Sequence, residues 1–235
     1  MKISLPRRFA SEFLGTAFLV AAVVGSGIMG DRLAGGNVAL ALLANTIATA
    51  AALAALILAF RPISGAHLNP VVSIAEAFSG RLTWGEACFY VVAQVSGGIL
   101  GAACANVMFA LPLFSLSHHA RTGAPLWFSE FVATFGLILI IRGCSRFEPH
   151  WLPIAVACYI AAAYWFTAST SFANPAVTIA RSLSDTFAGI APSSVPMFVV
   201  MQVIGALLAV ALGAFLFPGL PAADLVVPHE SPERP

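Results

Sequence analysis

Asn69-Pro70-Val71-Val72-Ser73-Ile74-Ala75 decides the reading of this chain, because it returns 105 residues later as Asn174-Pro175-Ala176-Val177-Thr178-Ile179-Ala180. Each copy follows a small, polar stretch, Ser64-Gly65-Ala66-His67 in the first and Ser169-Thr170-Ser171-Phe172-Ala173 in the second. Each opens an apolar run of only about ten residues, 70–78 and 175–183. Ten helical residues cover about 15 Å, half the hydrocarbon thickness of a bilayer. Asn is favoured at a helix N-cap and Pro in the first turn, so each copy reads as a half-helix capped by its own Asn.

Two further matches flank these. Glu12-Phe13-Leu14-Gly15-Thr16 is echoed by Glu130-Phe131-Val132-Ala133-Thr134, and Gln94 in Val91-Val92-Ala93-Gln94-Val95 by Gln202 in Val199-Val200-Met201-Gln202-Val203. Three matches in one order, at nearly one offset, divide the chain into two repeats, about 9–108 and 126–217, of a single domain over 1–235.

Composition sets the environment. Hydrophobic residues make up 60% of the 235 and charged residues 9%. A soluble domain carries about 25% charged residues, and a disordered chain lacks this much apolar surface. A polytopic membrane protein remains. A net charge of +1 excludes a concentrated basic surface for nucleic acid. Six apolar segments, 9–29, 38–60, 84–108, 126–141, 151–169 and 195–217, are candidates to span. Continuous apolar runs contradict the alternation of a β-barrel. Six spans put both termini on one side. That side would carry Lys2, Arg7, Arg8, Arg61, Arg81, Arg142, Arg146 and Arg234, against Arg32, Arg121 and Arg181 on the other, which predicts cytoplasmic termini. The Pro-rich stretch 218–235 reads as a short disordered tail.

Three spans per repeat invert the second half relative to the first, the design of channels and transporters. The two half-helices then enter from opposite faces and their N-termini meet near the midplane. Non-helical backbone is tolerated there only where it lines a cavity, so a central polar path is expected.

These residues resemble the aquaporin, or major intrinsic protein, family, and the likeness runs from about residue 9 to residue 217. The resemblance implies an all-α right-handed bundle of six helices plus two re-entrant half-helices. It also implies a homotetramer with one pore per subunit and passive flow of water, glycerol or other small neutral solutes. Carried over by residue, Asn69 and Asn174 donate to the permeant, and His67 turns its backbone carbonyl to the pore on the cytoplasmic side. Glu12 and Glu130 hold the re-entrant loops. The two triplets are Asn69-Pro70-Val71 and Asn174-Pro175-Ala176.

Two departures stand out. Val71 occupies a place where the family usually has Ala, and Val177 one where it normally has an Arg that walls the outer filter. The other walls fall at Thr49, 20 residues before Asn69, and at Ser171, three before Asn174. The fifth-helix wall falls at Ala162 when counted back from Asn174, or at Tyr164 when the helix itself is aligned; Ala162 is taken first. Small walls at Thr49, Ser171 and Val177 imply a wide, less polar filter. Such filters resemble a bacterial branch of aquaglyceroporins associated with arsenic resistance, for which glycerol, urea and undissociated arsenite are plausible permeants.

Arg181 lies four residues after Val177 on the same helix face. It either replaces part of the missing charge or snorkels to the interface to meet lipid or loop groups, and the second reading is favoured. Phe89 and Trp165 read as lipid or subunit contacts, and Gly97, Gly98, Gly101 and Gly205 as close helix crossings. Cys88, Cys104, Cys144 and Cys158 show no metal or redox spacing and read as small apolar fillers. His118 and His119 point to different sides, against a metal site; no cofactor is expected. A secondary transporter remains the alternative, as does a water-selective pore; no nucleophile–base set suggests an enzyme.

Overall fold

A computed structural model describes residues 3–218. Of the tail expected at 218–235, residues 219–235 with Arg234 lie outside the described residues, as does Lys2 at the other end. The described chain forms α1 (Leu5–Leu33), α2 (Val38–Ser64), α3 (Pro70–Phe78), α4 (Trp84–Met108), α5 (Ala124–Phe147), α6 (Leu152–Phe166), α7 (Pro175–Arg181) and α8 (Val195–Leu216). Single 3-10 turns precede α6 and α8. No strand occurs among the described residues.

Local chemistry sets the ends. Asn37 caps α2 through Leu40 N, and Gly65 closes it in left-handed backbone at φ 90°. Thr83 and Glu86 form a reciprocal capping box at the start of α4. Pro6 and Pro125 occupy first turns, where a missing N–H costs nothing.

Five helices, α1, α2, α4, α5 and α8, are long and apolar enough to cross a membrane. The sixth, α6, has 15 residues, which rise only about 22 Å. It ends at Phe166, three residues short of the expected Ser169, because the chain must leave the helix to enter the second re-entrant segment. Phe18, Leu58, Phe89, Val92, Trp165 and Phe215 stand exposed on the outer surface, as lipid-facing side chains do.

The pair α1 and α4 is the packed centre of the bundle. A Cβ on Gly97 would lie 2.2 Å from the Phe13 carbonyl oxygen, and one on Gly101 2.2 Å from that of Ala17. Only glycine allows this approach, which substitutes for hydrophobic drive inside lipid. Gly205 meets the Phe131 carbonyl in the same way, at 2.6 Å, where α8 crosses α5.

The cysteines correct one expectation. Cys88, Cys104 and Cys158 are exposed on the outside of the bundle and Cys144 is half-buried, so none fills the core. A thiol is apolar enough to sit against lipid, which the apolar runs alone could not distinguish from burial.

Candidate functional site

Both re-entrant segments take the same improbable backbone. Gly65, Ala66 and Leu68 have positive φ, and so do Thr170, Ser171 and Ala173, each 105 residues later. Five of these six are not glycine, and left-handed backbone is unfavourable for them, so the surroundings must hold it. Two buried carboxylates do. Glu12 Oε1 accepts from His67 N (2.9 Å) and Ser64 Oγ (2.6 Å), and its Oε2 from Leu68 N (2.7 Å) and Gln94 Nε2 (2.8 Å). Glu130 repeats the pattern with Phe172 N (2.9 Å), Ala173 N (2.9 Å) and Gln202 Nε2 (2.6 Å). Gln94 also donates to Ser73 Oγ, and Gln202 to Thr178 Oγ1. The paired glutamines were visible as a repeat; their role as struts between carboxylate and half-helix was not.

The two halves clasp at the centre. Asn69 Nδ2 donates to the Ala173 carbonyl and Asn174 Nδ2 to the Leu68 carbonyl, both at 2.8 Å. Residue 69 reaches 173 while 174 reaches 68, which is the reciprocity of a two-fold relation. Asn69 Oδ1 accepts from Val71 N, and Asn174 Oδ1 from Ala176 N and Val177 N, so each Asn caps its own half-helix. An amide nitrogen carries two hydrogens. One is engaged in the clasp, and the second is left for another acceptor.

Beside the clasp runs a cavity of about 90 Å³. A water needs roughly 10–15 Å³ of such space, so there is room for a short file of waters or one small solute. The wall is mostly apolar: Leu19, Val23, Leu53, Leu137, Val156 and Ile160. Polar groups come from His67, Asn69, Asn174, Thr49, Tyr164 and Ser171, with Glu76 and Ser145 on the side of α3. The Ser145 and Ser171 hydroxyls are buried without a partner among the described residues, and both belong to cavity-lining side chains. His67 is held with Nδ1 2.9 Å from Ser73 Oγ and its ring edge-on to Tyr90.

The candidate residues separate into groups. Thr49, Ser171, Val177, His67, Asn69 and Asn174 share the cavity wall. Pro70, Val71, Pro175 and Ala176 are buried behind it; Val71 packs with Ile138, Ala206 and Ala209 and does not face the path. Glu12 and Glu130 lie behind the wall as loop supports. Ala162 is exposed on the outer face of α6 and lies outside the cavity lining, which corrects its place in the filter. Tyr164 is the α6 residue on the wall, and its hydroxyl donates to Thr49 Oγ1 at 3.3 Å. Counting back from Asn174 fails because it assumes a fixed loop length, whereas the non-helical segment 167–173 sets its own.

Arg181 is the second correction. It does not snorkel. It is 2% exposed and lines the cavity, with its guanidinium carbon 3.4 Å from the centroid of the Phe172 ring and its Nε donating to the Ala188 carbonyl. Helical spacing gave its face correctly, but the segment 182–191, tied to 115–119 by backbone hydrogen bonds, brings the Ala188 carbonyl against the guanidinium. Glu76, which sequence reasoning passed over inside an apolar run, also lines the cavity, bound bidentately by Arg81 at 2.6 and 2.5 Å. No group of three His, Cys, Asp or Glu side chains converges as a metal site among the described residues. Outside the spans, His118 grips Asp185, by its backbone N–H to Oδ1 and by its ring to Oδ2, both 2.9 Å.

A membrane bundle in which two half-helices meet head to head beside a lined cavity has the architecture of a channel. The comparisons agree. The family profile "Major intrinsic protein" matches residues 1–150. The aquaglyceroporin AqpS of Rhizobium meliloti is 51% identical over 232 residues, 99% of this chain and 98% of that protein. Aquaporin A of Dictyostelium discoideum is 35% identical over 191 residues, 74% of this chain and 67% of its own. The solved aquaglyceroporin from Plasmodium falciparum matches with a TM-score of 0.69 at 21% identity, over 89% of this chain and 95% of that one, a likeness of fold. The chain belongs to the major intrinsic protein family, as a six-helix, two-half-helix membrane channel.

Proposed function

We propose that this channel passes glycerol, undissociated arsenite and related neutral metalloid or organoarsenic species by passive flow, with water as a secondary permeant. The carrying observation is the wall beside Asn174: Val177 faces the cavity, with Thr49 and Ser171 as further small walls. Val177 offers no donor and little bulk. An apolar wall replaces a hydration shell poorly, so water gains less from this wall than from a polar one. A solute with its own hydroxyls and an apolar body fits it better, taking hydrogen bonds from the free amide hydrogens of Asn69 and Asn174 and from Ser171. The His67 carbonyl serves the same file on the α3 side.

The proposal includes a homotetramer in the bacterial inner membrane with cytoplasmic termini, supported by the Lys and Arg distribution among the loops. The face where α3 ends is then cytoplasmic, and the face where α7 ends is outer.

The test is flux into proteoliposomes containing the full chain. Glycerol and arsenite should enter faster than into empty vesicles, with a low activation energy and no saturation at moderate concentration. Val177→Arg adds a long side chain with five donors at the wall and should reduce methylated or bulky metalloid flux most. Rapid water flux with no glycerol or arsenite flux above empty vesicles would sink this reading.

A further inference from the structure

The two half-helices carry opposite charges at one equivalent position. Glu76 stands seven residues after Asn69 and Arg181 seven after Asn174, each near the far end of its half-helix and each on the cavity wall. The two ends of the conduit thus carry opposite charges on matching scaffold positions. Their pairing is not symmetric. Glu76 is neutralised by the two-pronged contact with Arg81. Arg181 has no carboxylate within ion-pair distance among the described residues. The charge beside it is a second cation: Arg121 also lies over the Phe172 ring, 5.2 Å from its centroid, with its Nε donating to the Gly189 carbonyl at 2.8 Å.

A buried, unpaired guanidinium is costly inside a membrane protein unless its geometry compensates. Here one N–H takes the Ala188 carbonyl and the flat face lies on Phe172, which fixes the plane of the group. The two terminal nitrogens, Nη1 and Nη2, donate to no protein acceptor among the described residues, and the side chain they end borders the cavity. Ser171, with its unpartnered hydroxyl, and Val177 belong to the same wall.

We propose that Arg181 is a specificity-determining residue of this conduit, supplying the donors and positive charge that Val177 lacks, one helical turn nearer the outer face. Its planar fork of N–H groups matches solutes that present two oxygens side by side, such as vicinal polyols and hydroxylated metalloid acids. Its charge, reinforced by Arg121, turns back small cations. Val177 widens the path while Arg181 keeps it polar and cation-tight. This rests on the passive-conduit reading above and assigns that conduit its preference.

The experiment uses the full chain in proteoliposomes and compares protein-mediated glycerol flux with that of 1,3-propanediol, a near-isostere without adjacent hydroxyls, together with methylammonium uptake. The unaltered protein should favour glycerol and exclude methylammonium. Arg181→Gln should lower the glycerol-to-propanediol ratio about tenfold, the scale of one charge-assisted hydrogen bond, and admit methylammonium. Arg181→Lys should keep cation exclusion but lose part of the ratio, because an ammonium has no fork. Arg181→Gln with Val177→Arg should regain both. An unchanged ratio and unchanged exclusion in a monodisperse Arg181→Gln protein would overturn the proposal. So would a wild-type protein that carries propanediol as fast as glycerol, a result that needs no variant to fold. Absence of any solute flux in the wild type fails the conduit reading first, and the role of Arg181 with it.

Discussion

Glu12→Gln and Glu130→Gln are the same substitution at two-fold-related positions, yet the structure predicts different costs. A glutamine keeps one acceptor oxygen and replaces the other with a donor. At Glu12 each oxygen serves two donors, Ser64 Oγ and His67 N on one side, Leu68 N and Gln94 Nε2 on the other. Turning the amide nitrogen toward Ser64 lets that hydroxyl accept, so one bond is lost, that from His67 N, and the three bonds kept lose their charge assistance. At Glu130 the load is uneven, with Phe172 N alone on Oε1. The amide can turn its nitrogen there and lose one bond. One lost bond to a charged group costs roughly 1.5–3 kcal/mol at either site, and Glu12→Gln should cost about 1 kcal/mol more than Glu130→Gln, because three kept bonds lose their charge there against two. Both loops carry the carbonyls that hold the central amides, so flux should follow the same order, with Glu12→Gln the less active of the two. Thermal aggregation midpoints in detergent and glycerol flux in proteoliposomes measure the two. Equal losses, or a larger loss at Glu130, would refute the reasoning from acceptor load.

Gly101→Leu should prevent assembly, because its side chain would enter the Ala17 carbonyl; loss of the monodisperse peak in size-exclusion chromatography checks it. Ala162→Trp should leave solute flux unchanged, since the residue faces outward, whereas Tyr164→Ala should speed solutes bulkier than glycerol; paired flux assays decide. The Asp185 carboxyl is held below its ordinary range by hydrogen bonds from the His118 backbone and side chain. Its grip on the outer loop is therefore complete above the ordinary carboxylate value and is lost as pH falls through the lowered one. Amide exchange at residues 115–118, corrected for intrinsic rate, should show protection at neutral pH that fades in acid, and Asp185→Asn should abolish that pH dependence.

The sequence made the half-helices legible because their signal is local. An Asn that caps and a Pro that tolerates the first turn need only their own neighbours, and the duplicate copy excluded coincidence. The carboxylates Glu12 and Glu130 were legible as a pair, since a charge inside a span needs acceptor work to do. Tyr164 and Arg181 were harder for different reasons. The place of Tyr164 depends on the length of the non-helical segment between α6 and Asn174, and counting back assumes a fixed one. The face of Arg181 followed from helical periodicity, but what lies on that face is the Ala188 carbonyl, seven residues further along the chain, and the Phe172 ring, nine residues before it. Glu76 was hidden because its partner Arg81 sits beyond the end of α3, where no periodic rule links them.

The clasp between Asn69 and the Ala173 carbonyl also orders the birth of the protein. Everything that shapes the first re-entrant loop, from Glu12 through Ser64 to Gln94, is synthesised before residue 100. Its bonds to the second loop wait for more than seventy further residues to leave the ribosome. During that interval the first half is a formed loop without its mate, with the Leu68 carbonyl open toward the core of the membrane. The symmetric partner closes both gaps in one event, because each amide completes its bond only when the other does. A lesion in the second loop therefore harms the first at a distance in time as well as in space, and neither repeat is a self-sufficient pore.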